Sequence, residues 1–358
     1  MTIQTLRIID ANSNRISEGL RFLEDIARFV LNDKVLSGQL KQIRHDIQKK
    51  VSKLGIQLIS QRHSEDDVGT SSRINNKVQN VESLIIANAK RAEQGLRVIE
   101  ELTKLPEISG FLDYKDFDIA RFKLYTYEKR LLSSTYRSQK RSKLTGLYVI
   151  LDSQIIESQD MIKAASKVIS GGAKSLQLRD KCLPKKQLFD IAKRLRTLCH
   201  QTDTLFIIND HLDIVIGVDA DGLHIGQEDL PVKIARRFLP IDKIIGCSVD
   251  NIKQALKAER EGADYIAVGA IYPTTTKQDA RILGIECLVE IKRVAAIPVI
   301  AIGGINKDNV KEVLSTHVDS IAVASSILKQ DNIEKSTREM VNIIEQKRKF
   351  NRKIRKTI

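Results

Sequence analysis

Leu205-Phe206-Ile207-Ile208-Asn209-Asp210 is a short apolar run that closes on an amide and a carboxylate. Such a run, too short for a helix and rich in β-branched and aromatic side chains, reads as a strand whose polar residues mark its exit. Working outward, the same pattern recurs at 147–151, 175–178, 222–225, 244–247, 265–268, 298–302 and 320–324, with amphipathic helical stretches between the runs. Eight βα units in about 200 residues are what a closed (β/α)₈ TIM barrel requires, and in that fold function sits at the C-terminal ends of the strands. A doubly wound open sheet is the alternative, but no Gly-x-Gly-x-x-Gly follows the first run.

The strand exits carry an inventory suited to pyrophosphate chemistry. A pyrophosphate leaving group needs its several negative charges matched by cations before its bond to carbon can break. Gln177-Leu178-Arg179-Asp180-Lys181 supplies a guanidinium fork and a point charge, although a surface ion pair with Asp180 is the plain alternative. Asn209-Asp210 and Gln227-Glu228-Asp229 leave neighbouring strands, and two converging carboxylates with phosphate oxygens make a Mg²⁺ site. Either acid alone could equally cap a helix, as could Ser248 at the fifth exit. Pro273-Thr274-Thr275-Thr276-Lys277 adds hydroxyls and a further cation. Gly303-Gly304 and Ala324-Ser325-Ser326 follow the last two strands, where barrels hold a monophosphate on backbone N–H groups. His224 lies inside a strand and reads as core rather than catalytic.

The first half has a different texture. Residues 11–25 align with residues 87–101 at an offset of 76, with Arg44 matching Arg121 more faintly. Leu20, Leu23, Ala27 and Val30 recur at helical spacing, so each copy reads as a helical hairpin and the half as an all-α domain with an internal repeat. Asn12, Arg15 and Gly19 share one helix face, as do Asn88, Arg91 and Gly95. Glycine costs about 1 kcal/mol in a helix interior, so its presence in both copies points to close helix packing or a bound group, and helix-on-helix contact is the plainer reading. Glu65, Asp66 and Asp67 in the loop between the copies read as solvated acids rather than metal ligands. The expected organisation is a helical domain over 1–132, a polar linker over 133–143, the barrel over 144–346 and a basic tail over 347–358.

The net charge is +14 over 358 residues, but much of it is peripheral: the tail holds seven basic residues and no acid, and 133–143 holds four more. Aromatics are 4% with no Trp, which leaves few stacking platforms for nucleic acid, so no specific nucleic-acid partner is expected. No apolar run is long enough for a membrane span and no secretory signal is visible, which suggests a cytoplasmic protein without membrane attachment. The four cysteines lack metal-ligand or disulfide spacing. Small-molecule substrates are the expected partners, and self-association into a homo-oligomer is left open.

Taken in order, residues 177–181, Asn209-Asp210, 224–229, Gly246-Cys247-Ser248, 269–277 and Ile302-Gly303-Gly304-Ile305 resemble the thiamine-phosphate synthases over about residues 145–330. The resemblance implies condensation of 4-amino-2-methyl-5-hydroxymethylpyrimidine diphosphate with 4-methyl-5-(2-phosphoethyl)-thiazole, or its carboxylated form, giving thiamine phosphate and pyrophosphate. It implies that Gln177, Leu178, Arg179, Asp180, Lys181, Asn209, Ser248 and Lys277 bind the diphosphate, with Arg179, Lys181, Lys277 and Ser248 acting in catalysis. Asp210 and Asp229 would hold Mg²⁺, and Thr274, Thr275, Thr276, Gly304, Ala324 and Ser325 would hold the thiazole phosphate. The first half resembles the extension on some cyanobacterial forms. Asp180 stands where Glu is common. Ser248-Val249-Asp250 lacks the Ser-x-His of the related thiazole tautomerases, which leaves a tautomerase-like or other phosphate-binding barrel isomerase as the second reading.

Overall fold

The computed structural model describes residues 2–60, 80–156, 160–274 and 281–357, with the backbone alone described at 57, 59 and 350–357. Glu65, Asp66, Asp67, Thr275, Thr276 and Lys277 lie outside the described residues. The chain forms two compact units, Met1–Tyr136 and Arg137–Ile358.

The first unit is helical: α1 (Ile3–Asp25), α2 (Lys34–Val51), α3 (Ile56–Ser60), α4 (Val81–Leu102), α5 (Pro106–Ser109) and most of α6 (Tyr114–Ser142). Side-chain oxygens of Thr2, Asp33 and Asn80 cap α1, α2 and α4 by accepting from the amides of Thr5, Leu36 and Ser83. Its core, including Ile9, Leu20, Leu40, Ile85, Leu96 and Phe117, is the apolar face of these helices. α1 and α4 cross where both lack a side chain. A methyl on Gly19 would lie 2.7 Å from the Asn88 carbonyl, and one on Gly95 would lie 2.8 Å from Ile16. Positions 76 residues apart make matching contacts: Asn12 donates to the Ile8 carbonyl at 2.8 Å and Asn88 to that of Leu84 at 2.9 Å. Buried Glu24 pairs with Arg21 (3.4 Å) and Arg44 (2.8 Å), and buried Glu100 with Arg97 (2.5 Å) and Arg121 (3.0 Å).

The polar stretch expected to be the linker, 133–143, is helical as far as Ser142, and the division between the two units falls inside it. Its hydroxyls do not break the helix because they bond back along it: Ser133 donates to the Lys129 carbonyl at 2.6 Å and Thr135 to that of Leu131 at 2.9 Å. The basic tail likewise continues a helix, to Thr357, as fits a run of good helix formers at a C-terminal end.

In the second unit eight parallel strands close into a barrel in sequence order: β1 (Gly146–Asp152), β2 (Ser175–Arg179), β3 (Leu205–Asn209), β4 (Gly222–Ile225), β5 (Ile244–Val249), β6 (Tyr265–Val268), β7 (Val299–Ile302) and β8 (Ser320–Val323). α7 (Met161–Ser170), α8 (Lys185–Gln201), α9 (Leu212–Gly217), α10 (Val232–Phe238), α11 (Ile252–Glu261), α12 (Gly284–Val294), α13 (Val310–Ser315), α14 (Ser325–Leu328) and α15 (Ile333–Thr357) accompany them. The two-residue period sorts the strands. Leu147, Val149 and Leu151 face the helices, while Tyr148 and Ile150 join Ile207, Tyr265, Ile300 and Ala322 in the barrel interior. The strands' N-terminal end is held by ion pairs. Buried Asp264 meets Arg236 and Arg137 (3.2 Å to the latter), and Lys140 meets Asp242 at 2.9 Å.

The crossing glycine has a measurable consequence. Gly19→Ala drives a methyl against backbone and should destabilise by about 2 kcal/mol, whereas Gly38, with nothing within 4 Å of an added methyl, should tolerate Ala with a gain of about 0.5–1 kcal/mol. Calorimetric midpoints should move in opposite directions, and equal shifts would refute the close-crossing account.

Candidate active site

The C-terminal rim of the barrel encloses a cavity of about 370 Å³. Strand exits supply its polar walls: Gln177, Arg179 and Lys181 from β2, Asn209 and Asp210 from β3, Asp229 after β4 and Ser248 from β5. Thr274, Gly304, Ala324 and Ser325 line the same space from the exits of β6, β7 and β8.

Two residues expected to contact the diphosphate turn their side chains away from the cavity. Leu178 is 1% exposed and belongs to the layer between strands and helices, because alternation along β2 turns it away from the interior. Asp180 does not line the cavity either. Its Oδ1 accepts from the amides of Cys182 (2.8 Å) and Leu183 (2.6 Å), so the carboxylate fixes the loop that carries Lys181.

The acids are close neighbours. Asp210 adopts φ +61°, in the left-handed region that a non-glycine residue enters at a cost, and this turns its side chain at the β3 exit. Burial, reinforced by the Asp229 carboxyl beside it and opposed by Lys181 and Arg179, pushes the Asp210 carboxyl up to about 6. Asp229 accepts from the Gly226 amide at 2.7 Å, and the Lys181 ammonium stands 4.0 Å from Asp210. Two hard oxygen donors that repel each other are the residues able to hold a divalent cation.

Sequence reading missed several contributors. Asp152, fully buried at the end of β1, pairs with the Arg179 guanidinium and fixes its orientation; applying the strand-exit rule to the first strand would have found it. Arg281 and Asp250 also line the cavity, Arg281 from a loop with no strand pattern to mark it. His224 is buried, as its place in a strand suggested, and it also lines the cavity, with Nε2 2.9 Å from Ser248 Oγ. Burial lowers its pKa to about 4, leaving the ring neutral at pH 7. At the other wall Gly303 (φ +96°) and Gly304 (φ +64°) bring β7 against the β6 exit. A methyl on Gly304 would lie 2.4 Å from the Pro273 carbonyl, so the backbone stays bare there.

Among the described residues, no helix is long and apolar enough to cross a membrane. A model of the thiamine monophosphate synthase family matches residues 147–327, and a model of the ThiD2 family matches residues 7–130. The chain is 35% identical over 337 residues to a thiamine-phosphate synthase of Synechocystis sp., covering 94% of this chain and 95% of that protein. It is 43% identical over 206 residues to the thiamine-phosphate synthase of Pyrococcus furiosus, covering 58% of this chain and 97% of that protein. The solved thiamine phosphate pyrophosphorylase from Pyrococcus furiosus superposes with a TM-score of 0.54 at 41% identity, over 58% of this chain and 98% of that one.

The Asp210 environment fixes a pH dependence. A carboxyl raised from 3.8 to about 6 binds its proton more tightly when folded. Its stabilising contribution is therefore complete below pH about 4 and lost as pH rises towards 6. Without divalent cations, Asp210→Asn should raise the thermal midpoint at pH 7.5, by on the order of 1 kcal/mol of stability, and change it little at pH 4. A variant equally shifted at both pH values would contradict the assignment.

Proposed function

The chain belongs to the thiamine-phosphate synthase family, transferases of thiamine biosynthesis, and on that premise we propose how its cavity joins the two precursors. The observation that carries the reading is the convergence of Arg179, Lys181, Asp210 and Asp229 on one cavity facing the bare Gly303-Gly304 backbone. The pyrimidine diphosphate lies along Gln177, Arg179, Lys181, Asn209 and Ser248, with Lys277 as a further cation. The thiazole phosphate is held by the hydroxyls of Thr274 to Thr276, by Gly304 and by the amides of Ala324 and Ser325.

Asp210 and Asp229 fit Mg²⁺, since their mutual repulsion is relieved by a hard divalent cation. Bound there, Mg²⁺ supplies positive charge to the pyrophosphate oxygens. Arg179, oriented by Asp152, and Lys181 counter the charge that grows on pyrophosphate as its bond to the pyrimidine methylene lengthens. The electron-rich aminopyrimidine supports the resulting carbocation, and the thiazole nitrogen, positioned through its phosphate, captures it. No protein nucleophile is required. A phosphate-binding barrel isomerase would need no such paired acids.

Incubating both precursors with Mg²⁺ should yield thiamine phosphate and pyrophosphate in equal amounts, and failure to form them would overturn the reading. Asp210→Ala and Asp229→Ala should each lower kcat at least ~10²-fold. In the wild-type chain, Mg²⁺ without substrate should raise the thermal midpoint, and in either variant it should not.

The barrel suffices for this chemistry. Every residue assigned to it lies beyond residue 143, and the Pyrococcus furiosus relative is matched over 97% of its length by 58% of this chain. Residues 1–132 then form a separate helical domain. A chain beginning at Arg137 should retain the synthase reaction. One beginning at Ser142 loses the Arg137–Asp264 and Lys140–Asp242 pairs and should melt several degrees lower, as about 1–2 kcal/mol implies for a unit of this size. A soluble but inactive Arg137 truncation would show that the first unit takes part in catalysis.

A further inference from the structure

A continuous chain of hydrogen bonds spans the barrel interior beneath the cavity. Gln177 Nε2 donates to the Tyr148 hydroxyl at 2.8 Å, and the Tyr148 and Tyr265 hydroxyls lie 3.2 Å apart. Tyr265 Oη is 3.1 Å from His224 Nδ1, and His224 Nε2 is 2.9 Å from Ser248 Oγ. Both ends, Gln177 and Ser248, face the cavity, whereas Tyr148 and Tyr265 do not. The three inner groups are at most 6% exposed. The arrangement is built into the strands: His224 is registered with Gly246 and Gly246 with Tyr265. A methyl on Gly246 would lie 2.0 Å from the Tyr265 ring, so glycine there is what admits the tyrosine.

Proton bookkeeping makes the chain directional. Each hydroxyl and the neutral imidazole carry one proton, and a buried donor without an acceptor is costly. If the Gln177 amide nitrogen faces Tyr148, Tyr148 must donate to Tyr265, Tyr265 to Nδ1, and Nε2–H to Ser248. The serine proton and the Gln177 carbonyl are then the groups left for the cavity at the two ends. If the amide turns over, its carbonyl accepts from Tyr148 and every link reverses. Ser248 then donates inward and offers lone pairs to the cavity, while Gln177 offers N–H. Both senses place a proton in every link, whereas the mixed sense that leaves no donor idle, Tyr148 to the Gln177 carbonyl and Tyr265 to Nδ1, empties the middle link and sets two hydroxyl oxygens 3.2 Å apart with no proton between them.

From this we infer that Gln177 and Ser248 are a coupled donor–acceptor pair, each fixing the hydrogen-bonding sense of the other through Tyr148, Tyr265 and His224. The three inner residues are positioning residues, and the device suits a heteroaromatic ligand that presents a donor to one end and an acceptor to the other. The kinetic consequence rests on the reading that Gln177 and Ser248 touch the pyrimidine substrate. The coupling itself does not.

Two measurements on the full chain test it. The first needs no substrate: ¹⁵N-histidine NMR of the free protein, with the His224 signal assigned by its loss in His224→Asn. Gln177→Leu, at the far end of the chain, should move the His224 ring nitrogens. Once Tyr265→Phe has cut the chain, Gln177→Leu should move them no further, and Tyr148→Phe should insulate them in the same way. The second is a double-mutant cycle on kcat/KM for the diphosphate, using Gln177→Leu and Ser248→Ala. Their effects should depart from multiplicative by about 5-fold or more in the wild-type background and become multiplicative in Tyr265→Phe. An imidazole signal indifferent to Gln177→Leu, or a coupling factor unchanged by Tyr265→Phe, overturns the inference. Single variants without kinetic effect would instead show that the substrate has been misplaced, and the NMR result then decides the coupling alone.

Discussion

A missing side chain at Gly246 is the constraint around which the barrel interior is arranged. Opposite it on β6 stands Tyr265, fully buried, and the ring occupies the space a Cβ would need. With the ring in place its hydroxyl meets Tyr148 on one side and stacked His224 on the other. A polar layer can exist in the middle of an otherwise aliphatic barrel only because each member finds a partner. Above that layer the strands end, and the closed parallel order delivers all eight exits to one rim.

Much of this was legible before any coordinates, for a physical reason. Short apolar runs ending in polar residues are what buried parallel strands with a functional rim must look like, so all eight strands and the polar clusters at their exits could be read from period and position, while the roles of those clusters came only through family resemblance. Features that depend on which way a residue turns were not legible. Leu178 and Asp180 sit within a motif expected to bind the diphosphate as a group, yet strand alternation sends one to the helix layer and loop geometry sends the other to backbone amides. Residues 133–143 are polar enough to suggest a loop. Composition alone does not reveal that serine and threonine hydroxyls can bond back to their own helix, or that Arg137 and Lys140 have acids waiting at the barrel's N-terminal end. The tyrosines of the inner layer were hidden in plain view inside runs read as apolar.

Electrostatics at the rim shows competing costs held in place by the fold. Asp210 takes a backbone conformation that most residues avoid, in a spot where burial and a second carboxylate both disfavour its charge. Arg179 is tied to Asp152, which limits how far its fork can swing. Such a site is arranged for a highly charged ligand rather than for its own repose, the usual compromise between stability and activity.

The barrel's two ends divide their labour. Asp264, with Arg236 and Arg137, and Lys140 with Asp242 lock the N-terminal ends of the strands, and none of these residues lines the cavity at the other end. Loops at the rim can therefore be lengthened, shortened or re-lettered without loosening the lock. In evolutionary terms the foot acts as a reserve of tolerance: substrate preference can drift by changes at one end while the other keeps the scaffold folded through the intermediates.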